Sequence, residues 1–232
     1  ETIEEFTQAM RNTASRVGLS CDFDREYLTD APDYRSVTQS IFVELFKNGT
    51  IIEDLRPNIY DPVEGTTIAD AEVERLSRKT KLVDVIWRLD DGTEVVISTT
   101  RPELICACGV VVVHPDDERY QHLVGKKIQL PLPVSGRDNY VEIMTHSSVK
   151  SDFGSGVLMV CSFGDQNDVA VFRELGLTPF QAINLDGCMT EIAGQWAGMT
   201  VLDARHAIID YMTDNGLIKQ IEEREQEVPV SE

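Results

Sequence analysis

The chain has 232 residues, enough for one large domain or two small ones, and at that length roughly 70–75% of the unfolded surface is buried, so a core needs no disulfide or metal staple. Hydrophobic residues make up 42% and charged residues 26%, which excludes intrinsic disorder. With 21 Lys+Arg against 40 Asp+Glu and a net charge of −19, the chain has no general electrostatic grip for nucleic acid, and solubility is the plainest use of its acidity.

The acidic start, Glu1 to Glu5, is unlike a secretory or organellar leader, and without an initiating Met the sequence reads as a piece of a longer protein. No run approaches the ~18 apolar residues of a membrane span. Phe6, Met10 and Ala14 predict a first helix closed near Gly18, and Tyr34, Val37, Ile41, Leu45 and Phe46 a second one ending at Asn48-Gly49. Pro57, Pro62 and Gly65 mark 51–66 as loop or short extended structure. From Lys81 the pattern changes to strands. Leu82 to Trp87 and Val95 to Ile97 flank the turn signal Asp90-Asp91-Gly92, and further strands are predicted at 107–113, 126–130, 140–145 and 156–163. Helices are predicted at 116–123, 165–175 and 201–213, and the acidic stretch 221–232 is expected to fray. Short strands with helices inserted between them give an α+β, β-barrel-like domain rather than a doubly wound sheet. The expected division is a helical base segment at 1–80, the barrel at 81–220 and an acidic tail at 221–232.

Four groups of residues could carry chemistry. Ser98-Thr99-Thr100-Arg101-Pro102-Glu103 leaves a strand with two Thr hydroxyls and a guanidinium able to meet a ribose, a base edge or a phosphate; Thr100 with Glu103 also has the spacing of a helix capping box. Gly164-Asp165-Gln166-Asn167-Asp168 places two carboxylates at i and i+3 on a helix start, where one can cap the backbone while the other meets a ligand. Five Cys with no Cys-x-x-Cys pair read as reduced core residues in a cytoplasmic setting, with no metal site. Arg75, Arg78, Lys79, Lys81 and Arg88 form a basic cluster, a solvated face by default or a contact for a nucleic-acid end. Phosphate-binding Gly-rich loops are absent.

The same segments resemble the editing insertion of class I aminoacyl-tRNA synthetases, in particular the valyl family and its archaeal branch. The resemblance rests on Thr99-Thr100-Arg101-Pro102-Glu103, His114-Pro115-Asp116-Asp117-Glu118-Arg119-Tyr120, Gly154-Ser155-Gly156 and Asp165-x-Asn167-Asp168, in that order. The isoleucyl relatives carry Trp where this chain has Glu103. Bacterial members have Thr, Lys and His where this chain has Leu104, Met159 and Gly164, and a zinc knuckle where it has Asp61-Pro62-Val63-Glu64. The aminoacylation motifs His-x-Gly-His and Lys-Met-Ser-Lys-Ser are missing, so ATP-dependent activation is not expected of this chain.

What the resemblance implies is a hydrolase that clears threonyl-tRNA(Val) and spares valyl-tRNA(Val). In that reading Asp165 and Asp168 are catalytic, with Asp168 on the substrate α-ammonium and Asp165 on the side-chain hydroxyl or the water. Thr99, Thr100, Arg101, Glu103 and Gly164 bind substrate. No metal or cofactor is implied. The partners are the tRNA(Val) 3′ end and the remainder of the synthetase, and the chain is expected to be a monomer. The alternatives are isoleucyl-type editing of valyl-tRNA(Ile), or a non-catalytic module that docks the tRNA end.

Overall fold

Apolar residues one turn apart, Ile3, Phe6 and Met10, set the face of the first helix, α1 (Thr2–Arg16). Gly18 at φ 81 ends it, its N–H donating to Ser15 O while Leu19 N–H reaches Ala14 O. A second helix, α2 (Pro32–Lys47), starts with Pro at the position that tolerates it and closes through Asn48 and Gly49. These assignments come from a computed structural model that describes residues 2–53, 57–150 and 154–231. Residues 54–56 of the expected loop, 151–153 and the two terminal residues lie outside them. The chain divides into two units, residues 1–56 and 57–232, so the expected boundary at 80/81 falls inside a strand of the second unit.

The second unit opens with a small hairpin, β1 (Tyr60–Asp61) and β2 (Thr66–Thr67). Asp61 Oδ1 accepts from the N–H groups of Val63 and Glu64 at 2.7 and 3.3 Å, so a side chain organises the turn. The long strand β3 (Val73–Leu89) follows, then β4 (Glu94–Thr99), β5 (Cys108–Val113), β6 (Lys127–Gln129), β7 (Tyr140–Thr145) and β8 (Val157–Cys161). After these come α3 (Gln166–Glu174), α4 (Val201–Asp214) and the last strand β9 (Ile218–Ser231). The sheet order is β4-β3-β6-β7-β5-β8, with β9 paired to β3 and one parallel pair, β5 with β7. The sheet curls until β4 and β8 lie side by side without a ladder between them. This is the expected α+β architecture, a half-barrel with helices inserted.

Period-two burial explains the curl's inner face. Val83, Val85, Trp87 and Leu89 of β3 point into the core, as do Val95 and Ile97 of β4, while Asp84 and Arg88 point away. The run Val110 to Val113 is buried on both sides: Val111 and Val113 face the main core, Val110 and Val112 a second cluster with Val171 and Phe172 of α3. Gly109 permits that docking, since a Cβ there would lie 2.4 Å from the Phe172 ring. On α4, Ala204, Ile208 and Met212 bury one stripe against the core.

Two expectations change. Residues 116–123 form turns and a single 3-10 turn at Gln121–Leu123 rather than a helix. Asp117 accepts from both the backbone N–H and the side chain of Arg119, a local arrangement that competes with helical bonding. The stretch from 221 onward is not frayed: β9 pairs antiparallel with β3 from Ile218 to Ser231, bringing Glu223 and Glu225 opposite Lys81 and Lys79. Of the basic cluster, Lys79 and Lys81 therefore lie opposite carboxylates, Arg75 and Arg78 lie opposite Pro229 and Gln226, and Arg88 donates to Glu94 Oε1.

Candidate functional site

The site forms where β4 and β8 end next to each other. Thr99, the last residue of β4, is buried, and its Oγ1 accepts from Arg101 N–H at 3.0 Å. That bond turns the chain into the 3-10 turn Pro102–Ala107, whose start carries no side-chain cap, so the capping box read from Thr100 and Glu103 does not form. Thr100 is half-buried and its hydroxyl makes no hydrogen bond among the described residues.

Glu103 has no exposed surface. Both of its oxygens are taken by Arg205 of α4, Nε to Oε2 at 2.9 Å and Nη2 to Oε1 at 2.7 Å, the forked geometry that makes such pairs strong. Arg101 Nε also reaches Oε1, at 3.4 Å, and Arg101 Nη1 donates to the carbonyl of Gly164 at 3.0 Å. One continuous set of bonds thus ties α4, the turn after β4 and the turn after β8. It brings together Arg101, Glu103 and Gly164, with Glu103 buried and both its oxygens engaged by arginines instead of open to the substrate contact expected of it. Arg205 is not among the site residues expected from the sequence. Its position beside the buried stripe Ala204, Ile208 and Met212 is the signal that a cation there needs an acid partner.

The turn after β8 is held by Ser162, whose N–H and hydroxyl both donate to Ala107 O at 3.2 Å. Asp165 then caps α3, its Oδ1 accepting Asp168 N–H at 2.8 Å. Asp168 folds back across the turn, and its Oδ2 accepts the N–H of Cys161 at 3.0 Å. Gly164 makes room for it, since a Cβ there would lie 2.1 Å from Oδ2. The other oxygen, Oδ1, makes no hydrogen bond among the described residues. Burial pushes the Asp168 carboxyl up to about 7, aided by the nearby charge of Asp165 and opposed by the Cys161 N–H and by Arg101. A partly buried carboxylate with one engaged and one unengaged oxygen is suited to a cationic ligand group, which would restore its ionised form.

Cys106 and Cys161 are buried and poorly suited to act as nucleophiles. Burial pushes Cys106 up to about 12, and the adjacent Cys108 thiol together with burial pushes Cys161 up, so both remain thiols. Among the described residues no three His, Cys, Asp or Glu side chains gather as metal ligands, and no helix is long and apolar enough to cross a membrane.

Residues 1–223 match the family described as tRNA synthetases class I (I, L, M and V). The chain is 43% identical over 223 residues to the valine–tRNA ligase of Archaeoglobus fulgidus, covering 96% of this chain and 25% of that protein. It is 42% identical over 216 residues to that of Aeropyrum pernix, covering 93% and 26%, and 38% identical over 233 residues to that of Nanoarchaeum equitans, covering 100% and 30%. The chain therefore spans about a quarter of the length of these relatives. A match running through both units and through every segment of the site leads to one placement: the chain belongs to the class I tRNA synthetase family.

Proposed function

We propose that the site around Asp168 hydrolyses the ester of a mischarged threonyl-tRNA(Val), as the editing part of a valyl-tRNA synthetase. The observation that carries this reading is the Asp168 carboxylate, folded onto Cys161 N–H beside Arg101 with Oδ1 left for a ligand. The demand for such a site is physical. A hydrophobic pocket separates threonine from valine by only about 10²-fold, a value established for valyl-tRNA synthetases themselves and not obtained from this structure. A second site that hydrogen-bonds the threonine hydroxyl supplies the rest, because valine would leave those polar groups unpaired.

In this scheme Asp168 Oδ1 receives the substrate α-ammonium in a charge-assisted pair. Asp165, at the mouth of the same turn, meets the hydroxyl or the attacking water. Thr99 and Thr100 line the approach of the terminal ribose, and Arg101 stands at the ester oxygens. Glu103 works at one remove, holding Arg101 in place from beneath. Hydrolysis then comes from positioning water against the ester, with the ribose hydroxyl of the substrate assisting. The scheme uses no metal or cofactor. The cytoplasm is its proposed setting, and the rest of the synthetase supplies most of the tRNA affinity.

The test is deacylation of threonyl-tRNA(Val) and valyl-tRNA(Val) by this chain and by its Asp168→Ala variant. Selective loss of the threonyl ester, abolished by the substitution, is expected. Equal hydrolysis of both esters, or faster clearance of valyl-tRNA(Ile), would move the specificity to another branch of the family. If Asp168→Ala leaves hydrolysis unchanged, the assigned anchor is wrong.

A further inference from the structure

Arg137 lies outside the site described so far, in the segment between β6 and β7. Its Nη1 donates to Cys106 O at 3.0 Å, its Nε to Asp138 O at 3.1 Å, and its guanidinium stacks 4.0 Å from the centre of the Phe180 ring. These anchors are the backs of the two turns that build the site. Cys106 belongs to the 3-10 turn that begins at Pro102, and Phe180 N–H donates to Ser162 Oγ at 2.6 Å, at the start of the turn to Gly164.

Arg137 differs from the arginines that carry ion pairs on this acidic chain. Arg88, Arg101, Arg119 and Arg205 each pair with a carboxylate. Arg137 is half-buried, burial pushes its pKa down, and among the described residues no carboxylate comes within ion-pair distance of it. Its hydrogen bonds to the protein use two of five N–H groups and leave the Nη2 edge of the fork unengaged. A partly desolvated cation held flat by a ring, hydrogen-bonded to carbonyls alone and with Asp138 acting on it only through its charge, can take an anion that accepts two parallel bonds. Arg205 is already held in the fork with Glu103, and Arg101 is tied to Glu103 and to the Gly164 carbonyl.

We infer that Arg137 is a phosphate-binding residue that takes a phosphodiester of the polynucleotide end whose terminal ester sits at Arg101 and Asp168. This rests on the editing reading for its choice of ligand. It also gives that reading something it lacks, a local cation for the phosphates of an incoming strand on a chain of net charge −19.

The experiment titrates the 232-residue chain with the trinucleotide CpCpA and with its uncharged methylphosphonate analogue, in the unsubstituted protein, Arg137→Gln and Arg137→Lys. CpCpA is expected to bind about 10-fold more weakly to Arg137→Gln, with an intermediate loss for Arg137→Lys, which keeps the charge but not the fork. The slope of log affinity against log salt should fall by about 0.7. The analogue should not distinguish the three proteins. Equal CpCpA affinity in all three, or an equal loss for the charged and uncharged trinucleotides, would overturn the assignment. Inorganic phosphate binding with the same Arg137 dependence, alongside no CpCpA binding, would overturn the polynucleotide as source.

A second readout separates binding from packing. Arg137→Gln should raise KM for threonyl-tRNA(Val) and leave hydrolysis of threonyl-adenosine, which carries no phosphodiester, unchanged. Slowing of both substrates in both variants would make Arg137 structural and overturn the proposal. If the unsubstituted chain hydrolyses neither ester, the editing reading fails, and the CpCpA titration still reads Arg137 independently.

Discussion

The two units of this chain obey the same sequence rules with opposite results. In the sheet unit, alternating residues such as Val83, Val85 and Ile97 are fully buried. In the helical unit the apolar stripes are as regular, yet Phe6, Met10, Val37 and Phe46 stay exposed and neither helix buries a single residue. Periodicity reports which face a segment offers to a partner, and burial depends on whether the partner is there. Helices of 15 and 16 residues that bury nothing have little beyond intrinsic propensity to hold them.

The contrast can be sharpened by substitution, and the largest effect belongs to the sheet unit. Arg205→Ala leaves the Glu103 carboxylate buried without its forked partner, and a loss of about 3–5 kcal/mol is expected in urea unfolding. Arg205→Lys should recover part of it. If Arg205→Ala changes the unfolding midpoint no more than an exposed substitution does, the bond network is not holding α4 to the site.

A middle-sized effect concerns Asp168, whose folded pKa of about 7 lies above its unfolded value near 3.9. The native state then binds more protons than the unfolded chain between those values, so this group makes stability fall as pH rises from about 4 through 7. Asp168→Asn should remove that slope. The variant gains on the parent protein by at most a few kcal/mol at pH 8, and the gain vanishes below pH 4. The acid limb of kcat/KM for ester hydrolysis should lie near the same pH, and that of kcat lower, because the bound ammonium holds Asp168 ionised. Melting curves taken across this range that run parallel for the two proteins would contradict the assignment.

The smallest effect is expected in the helical unit. Phe6→Ser, a change that would cost several kcal/mol in a core, should alter the unfolding of this chain by about 0.5 kcal/mol or less. A large destabilisation would mean that α1 has found a partner in solution, and the comparison between the units would have to be redrawn.

Much of the fold could be read from residues close together in sequence. The turn at Gly92, the strands on either side of it and α4 ending at Asn215-Gly216 all follow local signals. The strand β9 could not be read this way, because Glu222 to Glu227 have no apolar alternation. Their strand conformation depends on β3, with Lys79 and Lys81 in register, more than a hundred residues earlier. The site divides along the same line. Asp165 as a cap is legible from its spacing to Asp168. The backward fold of Asp168 onto Cys161 depends on the missing Cβ at Gly164, and the partner of Glu103 is 102 residues away. Local chemistry shows which residues are available, and only the tertiary fold shows how they are spent.

The ribbon of β3 and β9 also sets how the sheet unit responds to mechanical load. Val73 pairs with Ser231 at its outer end, and the ladder runs inward to Val85 and Ile218. A pull on those two connections acts across the rungs rather than along them. It would open the ribbon one pair at a time, like a zip, and reach the buried Val85 last. The outer pairs, Val73 with Ser231 to Leu76 with Val228, would give way first and the Lys79 and Lys81 rungs after them, leaving the barrel, with its turns at Arg101 and Asp168, undisturbed while the ribbon lengthens.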